Sequence, residues 1–519
     1  MKQVASIIGG RPVPGGRTAA SSSPSRLDEV VAEVSFGDAA TFVAAAGSAK
    51  KSQPGWAAIP APVRGRAIAQ IGRAVEGNKE ALARIVTAEI GKPYAEALGE
   101  VQEIIDTCDF FLGEGRRLYG QTVPSEMSDK QLFTFRRPVG AVAVITAGNF
   151  PVAVPSWYIV PALLAGNTIV WKPAEYSPAA SAAFHEIFVA GGGLPDGVFN
   201  IVHAGGPDTF TGLEQSLDQG LIDKIGFTGS SAVGREVGGL AGRHLQTACL
   251  ELGGKNPMVV TPAADLDLAV EGALFAGFGT AGQRCTSLGT VIVHESVHDE
   301  FLSRYNAAVA AAPVGDPTRD VLMGPLMDAK FAERYEEFLS WIQPHHRVQA
   351  RRGRITADNP REGFVGDPAA GLFYHPVVVD GVRPGDQIFD EETFGPIVGV
   401  TSYRDFTEAI ELANAPGYGL SSAIYTNDAR EAFAFRDGIS AGMVSINNST
   451  SGAEAHLPFG GNGKSGNGSR QSGIWVLDQF TRWQSVNWDY SGKLQKAQMD
   501  TAALVGDPGF TLSWTAALG

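Results

Sequence analysis

The segment from Val139 to about Val260 constrains the fold most, because short apolar β-rich runs alternate there with longer helical stretches. Strands that alternate with helices form a parallel sheet covered by helices on both faces. The predicted elements are strands at Val139–Thr146, Thr168–Lys172, Val198–Val202 and Ile222–Phe227, and helices at about Val152–Leu164 and Ser177–Ala190. A second α/β block runs from about Gly253 to Asn447. The sequence therefore predicts an α/β protein.

Four further regions lie outside this alternation. From about Asp28 to Gly120 the chain carries Glu, Ala, Ile and Leu at helical spacing, which predicts a mostly helical segment. Gln131–Arg136 and Trp483–Tyr490 alternate in the manner of exposed strands. The chain after about Gln498 is too apolar to float freely, and no position is predicted for it. With 519 residues the chain has room for about two or three domains.

Charge and cysteine content exclude several classes of protein. The formal net charge of −14 argues against sequence-independent nucleic-acid binding, which needs a basic surface. The N-terminus has no apolar run long enough for a signal peptide, and Ala39–Ala49 is too short to span a bilayer and suits a core helix. Cys108, Cys249 and Cys285 include no Cys-x-x-Cys pair. A cytoplasmic, reducing setting with no membrane partner is therefore expected.

Cys285 carries the strongest chemical signal in the sequence. It lies in the run Gly279-Thr-Ala-Gly-Gln-Arg-Cys-Thr286, where small residues leave it open and a polar loop can hold it as a thiolate, the nucleophilic form. Upstream, Glu251-Leu-Gly-Gly-Lys-Asn256 places a carboxylate on a predicted Gly-Gly turn, where it can act as a base. The two runs predict covalent thiol catalysis followed by hydrolysis, with no metal ion.

Three short motifs suggest other chemistries and are outweighed by their context. His294-Glu-Ser-Val-His298 spells a zinc-protease motif, but that motif needs one continuous helix and a strand is predicted to run into His294, with Ser296 capping the next helix. Gly438-Ile-Ser-Ala-Gly442 precedes a predicted strand, whereas a serine-hydrolase elbow follows one. The Walker-like run ending at Ser465 has Pro458 where its first glycine would stand.

A dinucleotide site is predicted around Phe227-Thr-Gly-Ser-Ser-Ala-Val-Gly-Arg235. Gly229 and Gly234 follow a strand and open a helix, whose first backbone N–H groups can receive a pyrophosphate. The G-x-G-x-x-G fingerprint is absent, so this run alone favours a tight βα turn over a cofactor site. Lys172 and Glu175 end the neighbouring strand, where both can hydrogen-bond ribose hydroxyls. A glutamate there would repel a 2′-phosphate, which favours NAD, with NADP possible.

Several motifs, in their order along the chain, resemble those of the aldehyde dehydrogenase superfamily. Besides the runs at Glu251 and Cys285, they are Asn149-Phe-Pro151, Trp171-Lys-Pro-Ala-Glu175, Phe227-Thr-Gly-Ser230, Glu392-Thr-Phe-Gly-Pro396 and Pro458-Phe-Gly-Gly461. The resemblance implies a Rossmann-type cofactor domain, an α/β catalytic domain and a small β oligomerisation module. It also implies NAD(P)-dependent oxidation of an aldehyde to a carboxylic acid through a cysteine thiohemiacetal and thioester.

The resemblance assigns roles to individual residues. Cys285 would attack the carbonyl, the Asn149 side chain and the Cys285 N–H would form the oxyanion hole, and Glu251 would activate water. Since superfamily members that transfer the acyl group to coenzyme A tend to lack this base, free acid is the expected product. The predicted cofactor-binding residues are Lys172, Glu175, Gly205, Phe227, Gly229, Ser230, Gly234, Glu392 and Phe394. A non-catalytic scaffold is disfavoured because Cys285 and Glu251 are both present.

A closer resemblance, to the antiquitin or aminoadipate-semialdehyde (piperideine-6-carboxylate) dehydrogenase branch, is carried by Ala95–Asp109, Leu118–Gly120, Gly282–Cys285 and Ser451–Glu454. It implies that Glu103 and Arg284 hold the amino and carboxylate ends of a substrate. The predicted substrate-binding residues are Glu103, Phe150, Trp157, Arg284, Ser451, Gly452 and Ala453. Glu103 is equally compatible with a helix-surface charge.

The chain departs from this branch in two places. A proline, Pro155, stands in the helix expected to line the pocket, and Ala455–Pro458 replaces a glycine-rich loop. The substrate is therefore left open. Aminoadipate semialdehyde is the leading candidate, a phosphonate-bearing or keto-acid semialdehyde is the runner-up, and broad specificity for apolar aldehydes is the third.

The expected organisation follows from the same resemblance. Residues 1–122 and 143–252 would bind NAD, 253–470 would form the catalytic domain, and 123–142 with 480–500 the oligomerisation module. No role is predicted for residues 501–519. A homodimer or homotetramer is expected, because the two module strands would otherwise expose a sheet edge.

Overall fold

The computed structural model describes residues 2–348, 351–496, 504–512 and 514. Parts of the predicted module and tail, at 497–503, 513 and 515–519, lie outside these residues. The strands in chain order are β1 (Lys2–Val4), β2 (Ser6–Ile8), β3 (Arg11–Val13), β4 (Arg17–Ser23), β5 (Arg26–Phe36), β6 (Thr122–Val123), β7 (Lys130–Pro138), β8 (Ala141–Ile145), β9 (Thr168–Lys172), β10 (Phe199–Ile201), β11 (Lys224–Thr228), β12 (Ala248–Glu251), β13 (Asn256–Val260), β14 (Leu288–His294), β15 (Arg347–Val348), β16 (Val377–Asp380), β17 (Ile397–Tyr403), β18 (Tyr418–Gly419), β19 (Ser421–Tyr425), β20 (Met443–Ile446), β21 (Asn462–Gly463) and β22 (Thr481–Asp489).

The helices are also numbered in chain order. They are α1 (Ala39–Ala58), α2 (Ala61–Gly77), α3 (Lys79–Ile90), α4 (Tyr94–Arg117), α5 (Ala153–Ala165), α6 (Pro178–Gly192), α7 (Gly206–Asp218), α8 (Ser231–Arg243), α9 (Leu266–Phe278), α10 (Glu295–Ala311), α11 (Ala329–Ser340), α12 (Gln387–Asp390), α13 (Phe406–Asn414), α14 (Ala429–Gly438) and α15 (Leu477–Phe480), with 3-10 turns at Gly279–Gly282 and Ile474–Val476. Within the described residues, no helix is both long and apolar enough to cross a bilayer.

The first sheet contains the alternating elements that the sequence predicts between Val139 and Val260. Its strand order is β12-β11-β8-β9-β10-β2-β3, and the five strands from β12 to β10 are parallel. The antiparallel pair β2–β3 at its edge was not predicted. Ligands of open parallel sheets bind beyond the carboxyl ends of the strands, and here those ends are Ile145, Lys172, Thr228 and Glu251.

The second sheet has the order β15-β16-β17-β14-β13-β19-β20 and confirms the predicted second α/β block. All its pairs are parallel except β15–β16. Its apolar core packs strand residues such as Met258 and Val291 against Phe301 and Tyr305 of α10, all of them buried. The loop that carries Cys285 connects α9 to β14 and is therefore anchored at both ends by this core.

One predicted helical stretch is wrong. Residues from Asp28 to Phe36 belong to β5, which pairs with β4 and β1 in a three-stranded sheet. The reason is the burial pattern of the strand end: Ala32, Val34 and Phe36 alternate with more exposed residues and pack in a small apolar cluster. Beyond this strand, α1 to α4 confirm the helical prediction up to Arg117.

The contacts divide the chain into two compact units. The larger contains both seven-stranded sheets and comprises the chain up to Arg117 together with Pro138–Thr481. The smaller comprises Leu118–Arg137 and the chain from Arg482 onward, and contains a three-stranded sheet of order β22-β7-β6. The predicted strands at Gln131–Arg136 and Trp483–Tyr490 are thus confirmed as neighbours.

Candidate active site

Cys285 lies where two cavities meet, since it lines both of them. One cavity, of about 440 Å³, is also lined by Arg284 and Glu103, and we call it the Arg284 cavity. The other, of about 530 Å³, is also lined by Asn149 and Glu392, and we call it the Glu392 cavity. A nucleophile at such a junction can act on a molecule in one cavity while a second molecule lies in the other.

The backbone around Cys285 is fixed by one asparagine. The Asn256 side-chain nitrogen donates to the carbonyl oxygens of Cys285 and Ser287, both at 2.8 Å. Its side-chain oxygen accepts the Ser421 N–H at 3.0 Å, which ties the amide to β19. The cysteine loop is therefore held to the second sheet through β13, where Asn256 is the first residue.

Gly253 and Gly254 give the space that this arrangement needs. A Cβ at Gly254 would lie 2.6 Å from the Cys285 carbonyl oxygen, and one at Gly253 would lie 2.1 Å from the Glu392 carboxylate. Neither glycine has a positive φ. The backbone makes no turn at residues 252–255, so the predicted Gly-Gly turn is wrong, and these glycines instead allow close approach of the Cys285 loop and of Glu392.

The residues just before Cys285 form a strained turn. Thr280, Ala281 and Gly282 have φ values of 50°, 55° and 66°. Left-handed backbone at a residue other than glycine costs on the order of 1–3 kcal/mol and persists only where the surroundings impose it. Glu96 of α4 supplies that constraint, because its carboxylate accepts the Thr280 N–H at 3.0 Å and also the Thr280 hydroxyl.

The Cys285 thiol is not held as a thiolate, contrary to the prediction. Burial raises the pKa of Cys285 well above its ordinary value, and the nearby carboxylates of Glu392 and Glu251 raise it further. A neighbouring cation would have lowered the pKa. The resting side chain is therefore a thiol, and its proton must leave before the sulfur can attack.

Asn149 lies beside Cys285 in the Glu392 cavity, between β8 and α5. It is 6% exposed, and its side-chain nitrogen donates to the Gln283 carbonyl oxygen at 2.9 Å. A primary amide nitrogen carries two hydrogens, so the second can be donated to a bound oxygen. A free N–H in the cavity that Cys285 also lines is what an oxyanion donor supplies.

Glu251 lies at the end of β12 but lines neither cavity. One carboxyl oxygen accepts the Gly461 N–H at 3.1 Å, and a Cβ at Gly460 would lie 2.7 Å from the other, which has no hydrogen-bond partner among the described residues. Burial raises the pKa of Glu251 well above its ordinary value. The structure thus places the predicted base near the thiol in a protonated, withdrawn position.

The Arg284 cavity brings together every residue predicted to bind substrate. Its lining includes Glu103, Phe150, Trp157, Arg284, Ser451, Gly452 and Ala453. Trp157 packs against Phe459, a lining residue that the sequence did not single out, at 4.8 Å between ring centroids. Pro155 lies in the first turn of α5, where N–H groups have no helical acceptor, so it stands in this helix without interrupting it.

Arg284 is already paired with a carboxylate, which the sequence did not predict. Its guanidinium forms an ion pair with Glu96, and the two side chains are only 10% and 14% exposed. The guanidinium also lies 4.6 Å from the ring centroid of Phe275. A carboxylate that binds Arg284 must therefore share it with Glu96.

Glu103 differs from Arg284 in lacking a partner for part of its charged group. One of its carboxyl oxygens is buried and has no hydrogen-bond partner among the described residues. Burial raises the pKa of Glu103 to about 8, and the nearby Glu100 carboxylate contributes. The predicted alternative of an exposed helix charge is therefore wrong, since this carboxyl faces into the molecule.

A third cavity continues the Arg284 cavity and is rich in carboxylates. It has a volume of about 250 Å³ and shares Glu103, Trp157 and Ala453 with the Arg284 cavity. Its other acidic lining residues are Asp106, Asp109 and Glu454, and its lining contains neither lysine nor arginine. We call it the acidic cavity.

The Glu392 cavity collects part of the predicted cofactor set. Gly229, Ser230, Glu392 and Phe394 all line it, and Ser230 is the N-cap of α8. The backbone N–H of Gly254 donates to Glu392 at 2.9 Å, while burial raises the pKa of Glu392 to about 7.

Lys330 and Arg334 of α11 also line the Glu392 cavity, and the sequence analysis missed them. Their spacing of four residues puts both cations on one face of the helix, which was the available signal.

Other predicted cofactor residues lie outside that lining. Phe227 and Gly234 are buried and support α8: a Cβ at Gly234 would lie 2.3 Å from the Leu252 side chain. Lys172 and Glu175 lie 4.0 Å apart, and Glu175 accepts the Gly206 N–H at 2.9 Å, next to Gly205, the N-cap of α7.

The zinc-protease spelling falls across an element boundary, as predicted. β14 ends at His294 and α10 begins at Glu295, so the two histidines do not share a helix. The predicted cap at Ser296 is wrong, because His294 itself accepts the Ser296 N–H at 3.2 Å. His298 lies 2.9 Å from an Asp380 oxygen.

One group in the described residues has the spacing of metal ligands: His345, His346 and Asp386. Both histidine Nε2 atoms lie near the same Asp386 oxygen, at 3.1 and 2.9 Å. The Nδ1 of His346 accepts the Gln343 N–H at 2.9 Å. An imidazole that accepts at Nδ1 carries its proton at Nε2, so this histidine donates to Asp386 and offers no lone pair to a metal.

Comparisons with known proteins match this geometry. Residues 13–486 match the Aldehyde dehydrogenase family. The alpha-ketoglutarate semialdehyde dehydrogenase of Haloferax volcanii is 36% identical over 92% of this chain and 96% of its own. The alpha-aminoadipic semialdehyde dehydrogenase of Mus musculus is 35% identical over 91% of this chain and 86% of its own. The structure of betaine aldehyde dehydrogenase from Staphylococcus aureus in complex with NAD+ superposes with a TM-score of 0.89, at 27% identity over 94% of this chain and 95% of that one.

The chain therefore belongs to the aldehyde dehydrogenase family. It is an oxidoreductase that acts on aldehydes, and its fold is the family's α/β fold.

Proposed function

We propose that this enzyme oxidises a small semialdehyde that carries both an amino group and a carboxylate, with NAD as the oxidant. Aminoadipate semialdehyde is the leading substrate. The observation that carries this proposal is the unpartnered carboxyl oxygen of Glu103 in the cavity that also holds Cys285. A buried acceptor without a donor is costly, and a substrate ammonium would supply a charge-assisted hydrogen bond. The acidic cavity next to Glu103 favours the same positive group.

The carboxylate end of the substrate has a separate set of partners. Arg284 lines the cavity, and the Ser451 hydroxyl is buried without a hydrogen-bond partner among the described residues. Because Arg284 is shared with Glu96, this end suits one carboxylate better than a dianion. A phosphonate-bearing semialdehyde is therefore disfavoured, since it would bring two charges into a cavity lined by three glutamates, Glu96, Glu100 and Glu103.

A keto-acid semialdehyde is the second candidate. The raised pKa of Glu103, about 8, leaves its carboxyl protonated at neutral pH, and a protonated carboxyl can donate to a keto oxygen. The 36% identity to an alpha-ketoglutarate semialdehyde dehydrogenase supports this candidate independently. Broad action on apolar aldehydes is disfavoured by the polar lining at Glu103 and Arg284.

The residues of the Glu392 cavity fit a dinucleotide. The start of α8 at Ser230 can receive phosphate oxygens, and Lys330 and Arg334 add positive charge. Glu392 and Phe394 would hold the nicotinamide half, while Lys172 and Glu175 would hold the adenosine ribose. Glu175 favours NAD over NADP, because a carboxylate accepts from a 2′-hydroxyl and repels a 2′-phosphate. When bound, NAD accepts the hydride that leaves the substrate carbon.

The protein's own groups carry the remaining steps. The Cys285 thiol gives its proton to solvent water and the sulfur bonds to the aldehyde carbon, while Asn149 and the Cys285 N–H donate to the new oxyanion. Hydride loss from that carbon leaves a thioester. Glu251 then gives up its own proton to solvent, moves from Gly461 toward the thioester as a carboxylate and takes a proton from water, while the hydroxide adds to the carbon and the sulfur leaves as thiolate.

The organisation of the chain is part of the proposal. Residues 1–122 and 143–252 would bind the cofactor, 253–470 would provide the catalytic loop, and 123–142 with 480–500 would assemble a homodimer or homotetramer. Exposed aromatic side chains in the smaller unit, at Trp483, Trp488 and Tyr490, support such an assembly. The three unpaired cysteines support a reducing, cytoplasmic setting.

The test is the rate of NADH formation across a panel of aldehydes, with NAD and with NADP. The panel contains aminoadipate, adipate, ketoglutarate and succinate semialdehydes, a phosphonoaldehyde and apolar aldehydes. We expect the highest kcat/KM for aminoadipate semialdehyde and a fall of about tenfold or more in Glu103→Gln for that substrate only.

Adipate semialdehyde is the matched control, since it lacks only the amino group. Ionisation of Cys285 and Glu251 affects both substrates alike, so the ratio of their kcat/KM values isolates Glu103. That ratio should rise with pH towards about 8, as Glu103 becomes a carboxylate, and should be flat in Glu103→Gln. A ratio near one in both proteins would contradict the proposed substrate.

A further inference from the structure

Helix α5 begins immediately after the Asn149 segment, and its first N–H groups are held by a residue from another helix. One carboxylate oxygen of Glu100, on α4, accepts the N–H of Val152 at 2.9 Å and that of Ala153 at 3.1 Å. The preceding residue of α5 provides no side-chain cap. Glu100 therefore acts as the N-terminal cap of α5, where a negative charge also suits the helix dipole.

The second carboxylate oxygen of Glu100 forms an ion pair with Lys92, and both side chains are 0% exposed. The Lys92 ammonium also lies 3.5 Å from the ring centroid of Phe150. Phe150 lines the Arg284 cavity and directly follows Asn149. The buried pair thus contacts the chain on both sides of Pro151.

The segment between Asn149 and α5 is short and stiff, so a constraint on one end reaches the other. Pro151 fixes its own φ and restricts Phe150, which precedes it. The far end of α5 is also fixed, because the Arg64 side chain donates to the Leu164 carbonyl oxygen at 2.7 Å. With α5 buried along its whole length and capped by charges at both ends, its start has little freedom to shift.

We propose that Glu100, held by Lys92, is a positioning residue for catalysis, which sets the place of the Asn149 amide and of the Phe150 ring relative to Cys285. This inference rests on the oxyanion role proposed above for Asn149. Glu100 lines the Arg284 cavity but not the Glu392 cavity, and both of its carboxylate oxygens are already engaged, one by the N–H groups of Val152 and Ala153 and the other by Lys92. In this proposed role its effect on kcat passes through Asn149, since a donor displaced by a fraction of an ångström loses much of its stabilisation of the oxyanion.

The chain contains a matched control in Glu89. This buried side chain, on α3, also holds the start of a helix, α6: one carboxyl oxygen accepts the Ala179 N–H at 2.9 Å and the other accepts the Ala180 N–H at 2.8 Å. Helix α6 carries none of the residues that line the two cavities at Cys285. Glu89→Gln therefore repeats the chemical change of Glu100→Gln at a helix start away from the reacting atoms.

The test is a double-mutant cycle on kcat with Asn149→Ala and Glu100→Gln, with thermal melts as the folding check. We expect Asn149→Ala to lower kcat about 100- to 1000-fold and Glu100→Gln about 10- to 100-fold. In the Asn149→Ala background, Glu100→Gln should change kcat by less than about twofold, because its route of action is already removed. The Kd for NAD should stay within about twofold in Glu100→Gln, as should kcat in Glu89→Gln.

Other results of this cycle would contradict either the role of Glu100 or that of Asn149. A full additional loss from Glu100→Gln in the Asn149→Ala background would overturn the proposal, as would an unchanged kcat in Glu100→Gln or an equal loss in Glu89→Gln. An unchanged kcat in Asn149→Ala would instead refute the oxyanion role proposed for Asn149.

If Glu100→Gln is unfolded, Glu100→Gln with Lys92→Met replaces it in the same cycle, since that pair leaves no unpaired buried charge. If both proteins are unfolded, the pair is structural and the proposal fails.

Discussion

The two cavities that meet at Cys285 differ in the charge of their linings. The Arg284 cavity has three glutamates and one arginine, and that arginine is paired with Glu96. The Glu392 cavity has Lys330 and Arg334 opposite a single glutamate. Opposite fields on the two sides of one sulfur suit two different ligands, an ammonium-bearing aldehyde on one side and an anionic dinucleotide on the other. From this difference in charge we expect that the affinity for each ligand can be changed separately by substitutions in its own cavity.

The largest effect is expected from removing the Cys285 thiol, which lines both cavities. Cys285→Ala should lower the rate of NADH formation by at least about a thousandfold, because no other described cysteine lines either cavity. Both ligands should still bind, and the Kd for NAD, measured by calorimetry, should equal that of the wild type. Residual turnover near the wild-type rate would identify a different nucleophile.

The second-largest effect is expected from replacing Glu251, the proposed base. Glu251→Gln should lower steady-state turnover by about 100- to 1000-fold while leaving one rapid equivalent of NADH, since acylation precedes the need for a base. In the wild type the rate of thioester hydrolysis should rise with pH, because the raised pKa of Glu251 leaves it protonated near neutrality. Rapid-mixing kinetics and mass spectrometry of the trapped thioester measure both. Steady turnover in Glu251→Gln, with exposed Glu391→Gln as the control, would show that another group activates water.

A charge reversal in one cavity tests whether the two sides are independent. Arg334→Glu should raise the Kd for NAD about tenfold or more and leave the KM for the aldehyde within about twofold. Fluorescence titration with NAD and initial rates at saturating NAD give the two values. An equal change in the Kd for NAD and in the KM for the aldehyde would show that the two cavities are coupled, and would contradict their independence.

The sequence predicts the parts of this site that are local and misses those that depend on distant partners. Strands such as Thr168–Lys172 were placed correctly because their apolar runs and flanking turns are contained in the chain segment itself. The pairing of Arg284 with Glu96 joins residues 188 positions apart, and no pattern near either one reveals it. It decides how the arginine can bind an anion.

The same limit explains two wrong predictions, one on the chemistry and one on the fold. The thiolate prediction for Cys285 failed because the loop composition shows neither the burial that raises the pKa of this thiol nor the nearby Glu392 and Glu251, which raise it further. The stretch from Asp28 to Phe36 was predicted as helix together with the region up to Gly120, on the helical spacing of Glu, Ala, Ile and Leu, whereas pairing with β4 and β1 makes it a strand.

The smallest effect is expected away from both cavities. Burial raises the pKa of Glu89 to about 7, above the ordinary 4.5. The folded protein therefore holds this proton more tightly than the unfolded chain, and the stability that Glu89 provides falls as pH rises from about 4.5 to 7. Since glutamine does not titrate, the Tm of Glu89→Gln relative to wild type should increase by about 1–3 °C across that window. A constant difference in Tm would contradict the raised pKa.

The most direct test of the central claim is a crystal structure of Cys285→Ala with NAD and aminoadipate semialdehyde. The account predicts the substrate ammonium within hydrogen-bond distance of Glu103, its carboxylate beside Arg284 and Ser451, and its aldehyde at residue 285. A substrate bound with its ammonium away from Glu103, or with its carboxylate in the acidic cavity, would contradict the account.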